Sequence, residues 1–353
     1  MDYRQMDTWK EIMSQGEVWR TVLDDLDRGS VVSEILQKLD PASELLFVGC
    51  GTSYYLAEAA AHSWASLTGR VARALPASEV TLYPNLLQSK GRKVQAIVIS
   101  RSGRTSEAVR AAKTLAHEMN IPVIGITCAI NSGLEAECQQ TIVLHSADEK
   151  STVMTRTFSS MLIALQYLAA RSVAKQGFLD SLRGVAKQIT PRLAAMADEI
   201  DLFVEKYFFE DYVFLGQGAF HGIAREAALK VMEMSCSYSQ FFHTLEFRHG
   251  PKAIVSPATC LTFFLSETGH DPEAEVLEEM KALGATIIVI CNHASAALRR
   301  SCDLVVEYGF GCDELALLAP YIVPAQIFGF YAGIKKNLTP DQPKNLTRVV
   351  ILN

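Results

Sequence analysis

Apolar and polar positions alternate along the chain between short apolar runs and longer stretches with helical spacing. In the first part, the apolar runs lie at 44–49, 71–74, 94–100, 122–128 and 141–145. Helical spacing separates them at 53–67, from Ala77, and at 105–118. Short strands that alternate with helices in this way are typical of a parallel, doubly wound sheet. We therefore predict an α/β domain, with two amphipathic helices over residues 7–39 packed outside it.

The second part of the chain repeats the first. Phe47-Val-Gly-Cys-Gly matches Phe214-Leu-Gly-Gln-Gly at an offset of 167 residues, and later apolar runs correspond at similar spacing. Long helices over 155–174 and 182–207 would connect the copies, with Gln176-Gly177 as the best boundary. We predict two tandem doubly wound parallel-sheet domains, flavodoxin-like three-layer sandwiches related by internal duplication. Their predicted bounds are 44–177 and 178–353, the second including a C-terminal tail, after outer helices over 1–43.

Composition narrows the class of protein. The 353 residues are 49% hydrophobic and carry a net charge of −6, which gives no electrostatic reason to expect nucleic acid or a membrane surface. The start of the chain lacks the apolar segment of a signal peptide, and the apolar stretch 315–334 contains two prolines, so we predict a buried helix there. Eight cysteines without a CxxC pair indicate reduced thiols in the cytoplasm. No metal spacing is present, and we expect no metal and no cofactor.

The segment Ser100-Arg101-Ser102-Gly103-Arg104-Thr105 follows an apolar run and precedes a helix. Three hydroxyl groups, a glycine and a helix N-terminus together form a suitable cradle for phosphate. The lysine of a nucleotide-binding P-loop is absent from this segment. The plainer interpretation is a serine-capped helix after a tight turn, and the two arginines could either add positive charge or point to solvent.

A companion turn, Gly49 to Ser53, ends the first predicted strand. It lacks the third glycine of a dinucleotide-binding motif, because Tyr54 stands in that position. The turn offers hydroxyl groups to a sugar or a phosphate. Its candidate binding residues are Cys50, Gly51, Thr52 and Ser53.

The corresponding turn of the second copy is followed by acid–base groups. Lys230 and Glu233 share one face of a predicted helix, and Glu246 and His249 follow shortly after. These residue types suit proton transfer. Two plainer interpretations stay open: Glu226 and Lys230 could be an i, i+4 pair on a surface helix, and His243 is a rival to His249.

These segments together resemble the sugar isomerase (SIS) domains, and most of all the isomerase half of the glucosamine-6-phosphate synthases, also called glutamine–fructose-6-phosphate aminotransferases. The resemblance covers the two glycine turns, the serine-rich loop and the second-copy segment EAALKVMEMS…EFRHGP. It extends to the opening residues 9–15 and to the tail DQPKNLTRV at 341–349.

The resemblance implies a phosphorylated sugar ligand and a homodimer with a shared active site. It gives Glu233 the proton transfer between C1 and C2, Lys230 a place beside it, and His249 the ring opening, reached from the partner subunit. The residues implied in binding phosphate or sugar are Cys50, Gly51, Thr52, Ser53, Ser100, Arg101, Ser102, Gly103, Thr105, Thr152, Met154, Thr347 and Arg348.

Two departures from the family pattern bear on the reaction. Arg348 stands in place of the tail lysine that forms an imine with the sugar, and a guanidinium cannot form that bond. The start at Met1-Asp2 shows no N-terminal cysteine nucleophile, so glutamine-dependent amination is not expected. We therefore expect an isomerase or deaminase of an amino-sugar 6-phosphate. The alternatives are a fructosamine-6-phosphate deglycase and a non-catalytic module that senses sugar phosphate.

Overall fold

The computed structural model describes residues 3–87 and 92–352. Met1 and Asp2, on which the expected lack of an N-terminal cysteine rests, lie outside the described residues, as does Asn353. The strands are β1 (Glu44–Gly49), β2 (Ala72–Pro76), β3 (Val94–Ile99), β4 (Val123–Thr127), β5 (Gln140–Val143), β6 (Asp211–Gly216), β7 (Ser239–Phe242), β8 (Thr259–Phe264), β9 (Thr286–Cys291) and β10 (Leu304–Glu307).

The strands form two five-stranded sheets in which neighbouring strands pair in parallel. The first sheet has the order β2-β1-β3-β4-β5 and the second has β10-β9-β8-β6-β7. Read from the other edge, the second order repeats the first. The predicted α/β class with two parallel doubly wound sheets is confirmed.

Fourteen α-helices lie before, between and after these strands in the described part of the chain. Their bounds are α1 (Asp7–Met13), α2 (Gln15–Arg28), α3 (Val31–Lys38), α4 (Thr52–Thr68), α5 (Ala77–Leu82), α6 (Ser106–Lys113), α7 (Gly133–Glu137), α8 (Arg156–Ser172), α9 (Gln176–Ile189), α10 (Leu193–Lys206), α11 (Phe220–Ser235), α12 (His270–Ala282), α13 (Ala296–Ser301) and α14 (Leu318–Lys335).

The chain divides into two compact units, and the division does not follow chain order. The N-terminal unit contains the first sheet and comprises residues 15–150, 156–186 and those from 347 onward. The C-terminal unit contains the second sheet and comprises residues up to 14, 151–155 and 187–346. These bounds differ from the predicted segments, since each end of the chain belongs to the unit built around the other copy.

In the N-terminal unit the central strands β1 and β3 are buried on both faces, which explains their mostly apolar sequences. Leu46 and Val48 of β1 belong to a cluster with apolar residues of α5 and α6. Phe47, which points to the other face, packs against Trp64 of α4 at a ring distance of 6.2 Å. The alternation of side chains along one strand thus supplies both layers of core.

The C-terminal unit follows the same plan. Val213 and Leu215 of β6 lie in a cluster with apolar residues of α12. On the other face α11 packs against α14 at close range, because glycine replaces larger side chains at the contact. A Cβ atom added at Gly333 would lie 2.3 Å from the carbonyl oxygen of Met234, so the backbones need this glycine.

Three differences from the predicted helices have local causes. Residues 7–39 form three helices, since the residues between the two expected ones make α2, whose Trp19 donates to Ser159 of α8 at 2.9 Å. The predicted helix 182–207 is interrupted by a 3-10 turn at Pro191, where proline removes a backbone donor. Gln176 begins α9, so the boundary proposed there lies inside a helix.

The predicted buried helix near the C-terminus is present. In the described part of the chain, one helical segment, Glu314–Lys335, is sufficiently long and apolar to cross a membrane. However, 94% of its most apolar 18-residue stretch is buried within the protein. That burial is typical of a core helix, and Pro324 lies inside it.

Candidate active site

The serine-rich loop follows β3 and leads into α6. Ser100 is buried, and its hydroxyl lies 3.4 Å from the Thr105 hydroxyl. The Ser102 hydroxyl accepts from the Arg104 amide at 3.2 Å. Gly103 has a φ of +59°, and a Cβ there would lie 2.3 Å from the Ser132 hydroxyl. The loop therefore turns tightly and gathers three hydroxyl groups before the start of α6.

The companion turn lies beside this loop. Val48 of β1 pairs with Val98 of β3, so the two strands end at the same edge of the sheet. Gly51 has a φ of +52°, and α4 begins directly after it with the buried residues Thr52 and Ser53. Cys50 is half-buried, and burial raises the pKa of its thiol to about 11, so it is a thiol at neutral pH. The carboxyl edge of the first sheet thus carries both segments predicted from sequence.

Arg101 has a position that neither sequence interpretation anticipated. Its side chain is buried and lies 3.6 Å from the carboxylate of Glu149. It also donates to the backbone oxygen of Arg348 at 2.9 Å. The side chain therefore neither points to solvent nor adds a free charge to the loop; it connects the loop to the C-terminal tail. Arg104 is exposed.

The tail residues Thr347 and Arg348 are exposed and belong to the N-terminal unit. The Arg348 guanidinium donates to Asp148 at 2.9 Å and to the Glu149 carbonyl. Further along, the Val350 carbonyl accepts from the Ser106 amide at 3.2 Å, at the beginning of α6. The tail is thus held beside the serine-rich loop by the Arg101 side chain within the loop and by the Ser106 amide directly after it.

In the C-terminal unit, α11 brings three ionisable side chains together on one face. Lys230 is fully buried, and its ammonium nitrogen lies 3.1 Å from Glu226 and 2.5 Å from Glu233. Glu226 is fully buried, whereas the Glu233 side chain keeps 18% of its surface exposed. The interpretation of Glu226 and Lys230 as a surface pair is wrong, because both side chains lie inside the protein.

The charges of this cluster stabilise one another. Burial alone lowers the pKa of Lys230, but the neighbouring carboxylates Glu226 and Glu233 outweigh it, so that the pKa is raised above its ordinary value. The lysine is therefore an ammonium group at neutral pH. Lys230 is thus a buried cation between two carboxylates, and of these two only Glu233 reaches the surface.

The sequence pattern indicated Lys230 and Glu233 as site residues and gave Glu226 only as a possible surface partner of Lys230. The sequence could have indicated all three residues, because positions 226, 230 and 233 are four and then three residues apart and so share one helical face. The same spacing also describes a solvated ion pair, so spacing alone could not decide. Burial separates the two possibilities, and burial depends on α14, whose Gly329 lies against the Lys230 backbone.

The two histidine candidates have different surroundings. His249 is exposed and follows the short 3-10 turn Glu246–Arg248. His243 is half-buried, and its ring stacks on that of His221 at 3.8 Å with an interplanar angle of 10°. His243 is therefore engaged in packing within the C-terminal unit, whereas His249 is open to a partner or a ligand.

The remaining predicted residues lie in the short segment 151–155, which belongs to the C-terminal unit. Thr152 and Met154 are half-buried in it. The segment is held by Ser151, whose hydroxyl donates to Glu11 of α1, and by Thr155, whose carbonyl accepts from Gln326 at 3.1 Å. All eight cysteines of the chain are free thiols.

Comparison with known proteins gives the class to which this fold and these loops belong. The family model described as the SIS domain matches residues 38–171 and 211–318, one match for each sheet. The chain belongs to the SIS-domain family, and the resemblance seen in the sequence is confirmed.

Particular relatives carry names from sugar-phosphate metabolism. The glutamine–fructose-6-phosphate aminotransferase of Methanothermobacter thermautotrophicus is 26% identical over 343 residues, 97% of this chain and 56% of the relative. The chain therefore spans about half the length of the curated relatives it matches. A glucosamine-6-phosphate deaminase from Thermotoga maritima has a similar structure, with a TM-score of 0.79, 28% identity and coverage of 98% of this chain and all of that one.

The isomerase half named in the resemblance is also represented among solved structures. The C-terminal domain of glucosamine-fructose-6-phosphate aminotransferase from Francisella tularensis has a TM-score of 0.79 and 21% identity, covering 96% of this chain and 98% of that one. At this identity the similarity concerns the fold.

Proposed function

We propose that this chain is an enzyme that isomerises and deaminates an amino-sugar 6-phosphate of the glucosamine-6-phosphate type. The observation that carries the proposal is the buried Lys230 between Glu226 and Glu233. A buried ammonium costs several kcal/mol unless its partners compensate, and a packed core needs no such group. Proton transfer between adjacent carbons of a sugar needs both a carboxylate base and a nearby positive charge.

The proposal assigns the phosphate of the substrate to the N-terminal unit. The loop before α6 carries the hydroxyl groups of Ser100, Ser102 and Thr105, of which those of Ser100 and Thr105 lie 3.4 Å apart. Thr52 and Ser53 begin α4 at the same sheet edge. Hydroxyl donors at helix N-termini suit a dianion. A phosphate bound there would anchor the substrate.

The proton transfer is assigned to the C-terminal unit. His249 would open the sugar ring by moving a proton to the ring oxygen. Glu233 would then remove the proton from C2 and return it to C1, while the buried Lys230 supplies a positive charge next to Glu233. For a substrate with an amine at C2, this shift produces an imine at C2. Water adds to that imine, the C–N bond breaks, and ketose phosphate and ammonia leave.

Arg348 favours deamination over the synthase-type reaction. A guanidinium stays protonated and cannot form the imine that the corresponding lysine forms in the synthases, as the resemblance implies. Its side chain is also bound to Asp148 and the Glu149 carbonyl. An amino sugar already carries its nitrogen, so its conversion needs no such imine.

A homodimer in the cytoplasm with a shared active site completes the proposal. It rests on the resemblance, and the exposure of His249 and the free thiols agree with it. Complementation tests the shared site: Glu233→Gln and His249→Ala protomers, each inactive alone, should regain part of the activity when mixed. No recovery after verified subunit exchange would contradict it.

The proposed reaction is tested with purified protein and candidate amino-sugar phosphates, following ketose phosphate and ammonia. Glu233→Gln should lower kcat by roughly 10²–10⁴-fold, as expected for loss of a general base. Glu199→Gln, at an exposed carboxylate of α10, is the matched control and should keep full activity. Full turnover by Glu233→Gln would refute the assignment of the base.

The same assay separates the alternatives. A deglycase would release free amine from a fructosamine 6-phosphate and no ammonia from an amino-sugar phosphate. A sensing module would bind sugar phosphate tightly without turning over any of these substrates. Either outcome would replace the deaminase proposal.

A further inference from the structure

The loop after β8 is the second-copy counterpart of the serine-rich loop, and it contains an anion of the chain itself. Glu314, in the 3-10 turn before α14, accepts from the backbone amides of Glu267 at 2.9 Å and Thr268 at 3.0 Å. It also accepts from the Thr268 hydroxyl at 2.5 Å. Two backbone amides and a hydroxyl that converge on one carboxylate, just before helix α12, form the donor set of an oxyanion site.

The carboxylates around this loop do not form a cation site, because protein donors already occupy them. Glu273 is fully buried and accepts from the hydroxyls of Ser266 and Thr244. Glu267 accepts from the Asn292 amide at 2.8 Å. Glu314 is held by the loop amides described above. Burial raises the pKa of Glu273, which favours its neutral form. A cation would have to displace these donors.

The surrounding charge also disfavours a phosphate. A cavity of about 400 Å³ opens at the carboxyl ends of β8 and β9, beside the loop, so there is room for a small ligand. Its lining includes Glu267, and Glu273 lies behind Ser266. A dianion placed on the loop amides would meet the carboxylate of Glu267.

We propose that the second copy retains an oxyanion cradle that is selective for a carboxylate and is filled by Glu314, so that it takes no sugar phosphate. Each chain then has one sugar-phosphate site. The count of one rests on the proposed function, whereas the occupation of the cradle by Glu314 does not. Glu314 also connects the turn before α14 to the loop after β8, so filling the cradle stabilises the start of that helix.

Chemical rescue tests the cradle. Glu314→Ala should lower the thermal midpoint by about 5 °C, because three hydrogen bonds to a charged acceptor are lost. Sodium formate at 100 mM should restore at least half of that loss, compared with sodium chloride at equal ionic strength. Glu199→Ala, at an exposed carboxylate, and the unaltered chain should respond equally to the two salts. Sodium phosphate should do no more than chloride.

Three outcomes of these measurements would contradict the proposal. Equal stabilisation of all three proteins by formate would show that no specific cradle exists. Rescue by phosphate greater than that by formate would overturn the carboxylate selectivity. If Glu314→Ala does not fold in chloride, the soluble yield after refolding in formate replaces the midpoint, and equal yields in the two salts would overturn the proposal. Glu314→Gln keeps one acceptor oxygen and fills the cradle, so its smaller loss should not respond to formate.

Calorimetric titration with fructose 6-phosphate tests the number of sugar-phosphate sites in each chain. One site per chain is expected for both the unaltered protein and Glu314→Ala, and a second site in the unaltered protein would refute the inference. Absence of any binding to the unaltered chain, together with rescue by formate, would instead refute the proposed function and leave the Glu314 cradle in place.

Discussion

Replacing Lys230 by methionine removes the ammonium from between two carboxylates and keeps most of the side-chain volume. At an effective dielectric constant of ~20, a unit charge pair at the 3.1 Å that separates Lys230 from Glu226 attracts by about 5 kcal/mol before desolvation is counted. Glu226 is fully buried and Glu233 is mostly buried, so the variant would leave two like charges in the protein.

The expected loss is that of a broken buried ion pair, about 3–5 kcal/mol of the free energy of unfolding. Protonation of one carboxylate limits the loss, because it removes the repulsion between them. For a unit of this size, the loss corresponds to a thermal midpoint lowered by about 6–20 °C. The double variant Lys230→Met with Glu226→Gln removes the buried negative charge as well, and should recover about 1–3 kcal/mol relative to the single variant.

The assay is equilibrium unfolding in urea, followed by far-ultraviolet circular dichroism, with calorimetry for the midpoint. Lys187→Met, at an exposed lysine of α9, is the control and should change the free energy by no more than about 0.5 kcal/mol. A Lys230→Met variant within about 1 kcal/mol of the unaltered protein would refute the reasoning. So would a double variant no more stable than the single one, since the coupling between the two charges would then be absent.

Two further predictions concern the loop and the pH dependence of stability. Gly103→Ala should destabilise by at least about 1–2 kcal/mol, because φ is +59° and the new Cβ meets Ser132; Gly177→Ala, with open space around it, should be neutral or stabilising in urea unfolding. The folded pKa of Lys230 is raised, so its contribution is complete below the unfolded value of about 10.4 and is lost as pH rises through the folded pKa. Unfolding midpoints measured above about pH 10.4 should therefore fall for the unaltered protein, and Lys230→Met should lack this component; identical alkaline profiles would contradict the assignment.

Much of the fold can be predicted from the sequence, because a parallel strand that is buried on both faces has a short run of apolar residues. The runs 45–48 and 96–99 are continuous and apolar, and they lead into a glycine turn and a serine-rich loop, respectively. The duplication then supplies the second sheet by comparison with the first. Pro191 was visible too, but the helical pattern on both sides of it hid the break in the predicted helix.

The ionisable groups were harder to place, because their positions depend on distant parts of the chain. Arg101 follows a strand in a way that fits phosphate or solvent equally well, and its contact with the Arg348 carbonyl spans 247 positions. The carboxylate of Glu314 accepts from Thr268, 46 positions away. Neither contact has a periodic pattern, so no local rule could predict it.

The assignment of each end of the chain to the unit of the other copy has a consequence for folding and for dissection of the protein. Thr8 is bound to Asp341 at 2.7 Å, and the Leu352 amide donates to Ser106 at 2.9 Å. A cut at any single peptide bond near residue 187 would therefore leave the C-terminal unit without α1 and the N-terminal unit without the tail from residue 347 onward. During synthesis, the sheet that emerges first can make its full set of contacts only after the second has been translated. The two copies resemble each other in sequence, yet no single cut of the chain separates the two units, because each unit is made of segments from both ends.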